Sequence, residues 1–327
     1  MPALSAVVVT FRQRELAREC LDSVTAALAR VEGETELIVV DNASRDGTVE
    51  MVQREFPSAR LIVNETNLGF APALVAATAC ARGRWLATIN SDVTLGPDAL
   101  RRMLTAGESG ERIGSVCAQM RFVRSPDVIN SAGLEVDRLG LAGLDVGTEP
   151  TEVFGSCAGA AIFRSSMLAE VGGFDPTFFA YLEDADLAWR ARVAGWRALY
   201  QPQAIALHHH SSSLGHGSEL KYFLVGRNRV RMLAKNASGR QLLAYGIPIV
   251  LYDAAYVIFT AIRDRTLSPL RGRLRGLSEW RRYRRSGAAT RGRTALAPAR
   301  GIRAALRRRH AWAQGGSEPR AMEDGAR

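Results

Sequence analysis

ELIVVDNASRDGT (Glu36–Thr48) decides the fold class. Leu37 to Val40 form an uninterrupted apolar run, rich in β-branched residues, that stops at a carboxylate, Asp41. Such a run reads as a parallel strand buried on both faces. Asp46-Gly47 supplies turn chemistry, and a helix is expected over Thr48–Phe56 with Asp46 or Thr48 as its cap. The same grammar precedes it. LSAVVVTF (Leu4–Phe11) reads as a strand, and Arg14–Val31 as a helix, with Leu16, Cys20, Val24 and Leu28 on one face. It also follows it: ARLIVNE (Ala59–Glu65) as a strand, Phe70–Ala81 as a helix, and RWLATINSD (Arg84–Asp92) as a strand ending near Asn90.

Strands and helices that alternate at such short intervals predict an α/β fold with a mostly parallel, doubly wound sheet flanked by helices. Ligands of such sheets bind at the carboxyl ends of the strands. Polar residues gather at those ends: Thr10, Asp41, Asn42, Asn67, Asn90 and Asp92. From Gly114 to Ala161 the pattern suggests mixed or antiparallel strands with turns near Gly133, Gly140 and Gly143. Met167–Trp196 reads as a loop and then an acid-rich helix, and no internal repeat is visible.

The 327 residues, 47% of them hydrophobic, suffice for one large domain and an appendage. Net charge is +10 but uneven: from Arg263 to Arg309 only Asp264 and Glu279 oppose the arginines. A basic block of this kind points to a polyanionic partner, nucleic acid or an anionic membrane. Cys20, Cys80, Cys117 and Cys157 have no CxxC spacing, so free thiols in a reducing compartment are expected. Leu4–Phe11 is too short an apolar run for a signal peptide.

Four stretches carry chemistry. In DNASRDGT, the Asp41 carboxylate at a strand end suits the imide N–H of uracil or thymine, with Asn42 and Ser44 beside it; a plain polar turn is the competing reading. In INSDV (Ile89–Val93), Asp92 offers a hard oxygen ligand to a divalent cation that also binds diphosphate. GGFDPTFFAYLEDADLAWRARVAGW (Gly172–Trp196) sets Glu183, Asp184 and Asp186 behind Phe178, Phe179 and Tyr181. Acids at a helix start are favoured by its dipole, and one of them positioned on a hydroxyl acts as a general base; Asp186 reads as a helix cap. ALHHHSSSLGH (Ala206–His216) offers imidazoles for a metal.

Together with TNLGFA (Thr66–Ala71) and GRNRVRML (Gly226–Leu233), these stretches resemble the family 2 glycosyltransferases of the GT-A fold, in particular the rhamnosyltransferase-like branch. The resemblance covers about residues 4 to 235, and FFAYLEDADLAWR is its most diagnostic string. It implies a Rossmann-like GT-A sheet and an inverting, metal-dependent transferase using Mg2+ or Mn2+. Thr10 and Asp41, with Phe11, Asn42 and Ser44, match the nucleotide-base site, and Asn67 and Gly69 match the turn near the nucleotide. Asn90-Ser91-Asp92 stands where the family has DxD, with Asp92 as metal ligand. Asp184, second of the Glu183-Asp184 pair, matches the catalytic base. His208 matches the histidine of the metal site, with His209 and His210 as alternatives, and Arg227 and Asn228 match a segment near diphosphate or acceptor. Two departures matter: Asn90 replaces the first acid, which bears on the metal, and Pro72 and Val75 stand near the places of a usual glycine and asparagine, which bears on donor-sugar recognition.

Expected partners are a dTDP- or UDP-sugar donor, a glycan or polyprenyl-linked acceptor, and an anionic membrane surface on the cytoplasmic side, with no nucleic acid. The expected organisation is a catalytic domain over 1–240, a helical, Arg-rich membrane-associating region over 241–310, and a disordered tail over 311–327. Leu242–Ile262 has the length that spans a bilayer, but Pro248 and Asp253 interrupt it. A helix or helix pair lying in the interface is therefore preferred; a spanning helix and a core helix stay open. Rival functions are a catalytically inactive sugar-nucleotide scaffold and a nucleic-acid binder acting through the arginines.

Overall fold

The computed structural model describes residues 1–143, 151–209 and 218–287, together with Gly292 and Leu296. The first half runs β1 (Leu4–Thr10), α1 (Arg14–Leu28), β2 (Thr35–Asp41), α2 (Thr48–Glu55), β3 (Arg60–Val63), α3 (Phe70–Cys80) and β4 (Trp85–Asn90). Its strands are all parallel, in the order β3-β2-β1-β4. Register sets Thr10 beside Asp41 and Val9 beside Asn90, so three strand ends meet at one edge. Alternation divides the core: Val8, Val39 and Ile89 pack on one face with α1 and α2 residues. Val7, Val9, Ile38 and Val40 pack on the other with Leu74 and Ala77 of α3. The doubly wound, mostly parallel sheet expected from the sequence is the one observed.

The second half mixes directions. It comprises β5 (Val93–Leu95), α4 (Ala99–Glu108), β6 (Ile113–Phe122), β7 (Ser125–Ser131), β8 (Glu135–Val136), β9 (Ala142–Gly143), β10 (Thr151–Val153), β11 (Ala160–Arg164), α5 (Ser165–Val171), a 3-10 turn (Pro176–Phe178), α6 (Glu183–Val193) and β12 (Arg197–His208). β11 runs antiparallel between β4 and β6. β12 is parallel to β6 and antiparallel to β5 and β10. Gly133 and Gly140 do make positive-φ turns, at +105° and +70°, while Gly143 belongs to β9.

The chain continues as α7 (Glu219–Asn236), α8 (Gly239–Arg263), α9 (Ser268–Ser278) and α10 (Trp280–Ser286). α9 lies close on α7 through glycines: a Cβ on Gly226 would come 2.7 Å from Pro269 O, and one on Gly276 2.7 Å from the Val230 side chain. Of the expected helix or helix pair, the structure has a single helix: α8 runs through both Pro248 and Asp253. Pro248 and Ala244, whose carbonyl loses its partner, are both exposed, where an interrupted bond is tolerated best. Of the described residues, α8 is the helix long and apolar enough to cross a membrane.

Asp186 is not a cap. Leu182 occupies that place, and Asp186 sits inside α6, fully buried. It accepts from Arg190 Nη2 at 2.7 Å, Lys235 Nζ at 2.9 Å and Asn236 Nδ2 at 2.8 Å, which ties α6 to α7. Asp46 does act at helix starts, accepting from Thr48 N at 3.2 Å and from Arg14 N at 3.2 Å.

The segment before α6 is backbone-strained: Phe179, Tyr181 and Leu182 have φ of +65°, +70° and +66°, each costing roughly 1–2 kcal/mol for a side-chain-bearing residue. α7 holds it. Asn228 Nδ2 lies 2.8 Å from the carbonyls of Phe178, Ala180 and Tyr181, and Arg227 Nη2 2.9 Å from Phe178 O. Asn228→Ala is expected to cost about 3 kcal/mol, because buried carbonyls lose their donor. A lowered midpoint in thermal unfolding checks it, and an unchanged midpoint contradicts it.

Candidate active site

The strand-end turns build one wall. Thr10 Oγ1 donates to Asp41 Oδ1 at 3.0 Å, and Ser44 N donates to Asp41 Oδ2 at 3.0 Å. Both oxygens keep a second lone pair. Ser44 Oγ accepts from Arg12 N at 2.8 Å, which closes the β1 turn, with half-buried Phe11 within it, onto the β2 turn. Asn42 carries the connection onward: its Nδ2 donates to Gly69 O at 3.0 Å, and its Oδ1 accepts from Leu68 N at 3.2 Å. Asn67 Oδ1 accepts from Gly69 N at 2.9 Å. Gly69 has φ +97°, and a Cβ there would stand 2.6 Å from the Phe179 carbonyl, so the close approach of this turn to the acidic segment requires glycine.

The second wall follows β4. Half-buried Asn90 and Ser91 lead to buried Asp92. β12 pairs with β5 so that His208 lies opposite Val93, which brings His208 Nε2 to 3.4 Å from Asp92 Oδ1. His208 Nδ1 lies 2.9 Å from Asn130 Oδ1 on β7. If Nδ1 carries the proton, Nε2 faces Asp92 as an acceptor, which is the arrangement of a metal-ligating histidine with its outer partner. An oxygen and a neutral imidazole nitrogen fit a divalent cation. His209 diverges: its Nε2 is 3.8 Å from Glu19 Oε2, and its N–H donates to Asp92 O at 3.0 Å. His210 lies outside the described residues. Among the described residues no group of three or more His, Cys, Asp or Glu converges as a complete metal shell.

The third component is the Glu183-Asp184 pair at the start of α6. Asp184 Oδ1 accepts from Ala185 N at 2.8 Å, and its Oδ2 from Ala158 N at 3.3 Å. Residues 157–159 join this pair to the β4 end, since Ala158 O accepts from Thr88 Oγ1 at 2.7 Å and Gly159 O from Asn90 N at 2.9 Å. Glu183 is buried, and its Oε2 has no hydrogen-bond partner among the described residues. Burial, then the adjacent Asp184 charge, pushes the Glu183 carboxyl up to about 8. Burial also raises Asp184, against the backbone N–H groups that favour its charge. The charges of Glu183 and Asp92 both reach Tyr181, whose phenol they raise, after burial, to about 12. The acid pair is thus tied through residues 157–159 to the end of β4, the strand that leads to Asp92.

The structure thus brings together Thr10, Asp41, Asn42, Ser44, Asn67 and Gly69 in one hydrogen-bonded wall, and Asp92 with His208 in another. Arg227 is turned to Phe178 O and to Asn228 Oδ1, 3.0 Å away, along the loop that carries the acids. Three contributors carried no sequence signal: Asn130 behind His208, the small residues 157–159, and Lys221. Lys221 Nζ lies 5.4 Å over the Tyr181 ring, and burial lowers its pKa. Its position three residues into a helix after the histidine run looks like ordinary surface charge.

With this geometry in view, the relatives are informative. The N-acetylglucosaminyl-diphospho-decaprenol L-rhamnosyltransferase of Mycobacterium tuberculosis (strain H37Rv) is 28% identical over 248 residues, covering 65% of this chain and 78% of that protein. Among solved structures, GalNAc-T7 with UDP, GalNAc and Mn2+ superposes with a TM-score of 0.60 at 14% identity, over 75% of this chain and 50% of that one. This chain thus spans half the length of that structure. The mannosyltransferase PcManGT of Pyrobaculum calidifontis, in complex with GDP-Man and Mn2+, gives 0.52 at 18% identity, over 88% of this chain and 84% of that one. These likenesses establish the GT-A fold. The model of the family described as Glycosyl transferase family 2 matches residues 5–172, from β1 through α5, and the chain belongs to that family.

Proposed function

We propose that the chain is an inverting, metal-dependent glycosyltransferase that moves a hexosyl group, rhamnose foremost, from a dTDP- or UDP-sugar. Its acceptor would be a polyprenyl-linked or glycan hydroxyl in cell-surface polysaccharide synthesis, at the cytoplasmic face of the cell membrane. The observation that carries this reading is the Asp92–His208 pair, 3.4 Å apart, beyond the β4 end to which residues 157–159 tie Glu183 and Asp184. The relatives' printed activities, L-rhamnosyl transfer and Mn2+-bound sugar-nucleotide complexes, support the donor class and the metal.

In this reading Asp41 and Thr10 accept the base, with Phe11, Asn42 and Ser44 shaping the same wall. Asn67, Gly69, Asn90, Ser91 and Arg227 line the path of the ribose, diphosphate and sugar. Asp92 and His208 would hold Mg2+ or Mn2+, which when bound would supply charge neutralisation for a diphosphate leaving group. Asp184 accepts the proton of the acceptor hydroxyl as that oxygen attacks the anomeric carbon opposite the leaving group, which inverts configuration. Glu183 and Asp184 are both raised, so the pair would share one proton and carry one negative charge available to a base at Asp184.

Calorimetry with UDP, dTDP, GDP and CMP tests the site first. Binding of UDP or dTDP is expected to require Mn2+ and to vanish in Asp92→Ala and in His208→Ala; metal-independent binding in either variant sinks the assignment. Asp184→Asn is expected to lower turnover on the order of 10²-fold or more with donor binding retained. Near-full turnover in that variant removes Asp184 from the base role.

The buried acids also predict a pH dependence. Glu183 titrates higher in the folded chain than in the unfolded one, so the native state binds the extra proton between about 4.5 and about 8. Stability therefore falls as pH rises through that window. Glu183→Gln is expected to flatten this slope in denaturant titrations at a series of pH values; an unaltered slope counts against it. Because Asp184 is also raised, activity should fall on acidification at a pH above that of an ordinary aspartate.

A further inference from the structure

α8 is amphipathic in the inverted sense. Leu243, Ile247, Leu251, Ile258 and Ile262 recur along one face and point outward, with Leu243 90% and Ile247 77% exposed. Between its terminal arginines, Asp253, Tyr252 and Tyr256 are turned toward the protein. Asp253 Oδ1 accepts from Arg229 Nε on α7 and from Arg273 Nη2 on α9, each at 2.8 Å. Tyr252 lies under the Arg229 guanidinium at 5.6 Å and Tyr256 under that of Arg273 at 5.1 Å. α9 repeats the arrangement: Gly272 and Gly276 press on α7, whereas Leu267, Leu270, Leu274 and Leu277 are exposed on the opposite face.

The surrounding charge is of one sign. Arg240, Arg263, Arg265, Arg271, Arg281 and Arg282 are exposed, and none of the acids in this region, Asp253, Asp264 and Glu279, is. An apolar face of this length bordered by arginines complements an anionic lipid surface. A spanning helix must face lipid on every side, and the Asp253 side of α8 is committed to two arginines of the protein.

We infer that α8 and α9 together form a monotopic anchor. Their outward faces lie in one leaflet of an anionic bilayer, and the chain does not cross it. The inference stands apart from the transfer reading, because vesicle binding needs no sugar nucleotide and either can fail alone.

The full chain is floated with sealed phosphatidylcholine vesicles, with and without phosphatidylglycerol. Flotation is expected with the anionic vesicles and much less with the neutral ones. Leu243→Ser, Leu251→Ser and Ile258→Ser are each expected to weaken partitioning about tenfold or more, with an unchanged thermal midpoint as the control for folding. Arg271→Gln and Arg281→Gln are each expected to weaken it about fivefold on the anionic vesicles only. An epitope placed after Arg327 is expected to remain open to protease added outside. Protection of that epitope would mean a spanning helix and would overturn the inference. So would absence of flotation, equal flotation on both vesicles, or a vesicle-indifferent dimer in ultracentrifugation that the serine variants dissolve.

Discussion

The side-chain amide of Asn228 is the contact on which the arrangement of the site depends. The Glu183-Asp184 pair sits at the first turn of α6, and the chain reaches that turn through left-handed residues that only the surroundings can hold in place. Asn228 is fully buried and lies 2.8 Å from three of the carbonyls in that approach. Phe179, freed to face the other way, presents its carbonyl to Ala71 N at 2.9 Å and its ring to Gly69. One side-chain amide thus sets both the origin of the acidic helix and its spacing from the wall that contains Gly69.

Asp186 performs the matching task inside α6. A carboxylate with no exposure at all is stable only with its charge compensated and its lone pairs filled. Arg190, Lys235 and Asn236 do both, and Lys235 extends the network to Asp175 Oδ2 at 2.7 Å. Removing Asp186 would leave the buried Arg190 guanidinium without its carboxylate, so the network fixes α6 on α7 more by the penalty of breaking it than by net attraction. Glu183 is the opposite case: buried without compensation, it is relieved by taking up a proton.

Much of the sheet was legible because buried parallel strands are written as continuous apolar runs that stop at polar residues, as at Thr10, Asp41 and Asn90. The clustering of those stops at one edge follows from register alone. The pairing of Asp92 with His208 was legible only through family resemblance, since it depends on β5 pairing with β12 across more than a hundred residues of chain. Asn130 could not be found that way, because an asparagine on an edge strand looks the same whether it meets water or an imidazole. GRNRVRML reads, through the resemblance, as a basic segment near diphosphate or acceptor. Its donors were visible, but their acceptors are carboxylates on later helices, Asp253 and Glu279, and backbone carbonyls, which every residue has and no sequence marks. Asp186 was misread for a related reason: an acid four residues into a helix resembles a cap until the partner helix is known.

The same limit applies to α8, where the helix's hydropathy conceals a division by face. Suppose α8 left α7 to cross a bilayer. Asp253 would lose Arg229 and Arg273, and breaking a buried ion pair costs about 3–5 kcal/mol. The acid would then enter hydrocarbon at roughly 2.5–3.5 kcal/mol on insertion scales. Lying flat incurs neither cost, because the outward face is already apolar and Asp253 stays where it is. The choice between crossing and lying is therefore made by α7. Its Arg229 holds α8 while the preceding residue, Asn228, holds the loop before Glu183 and Asp184, so the outward apolar face and the loop carrying the acids share one support.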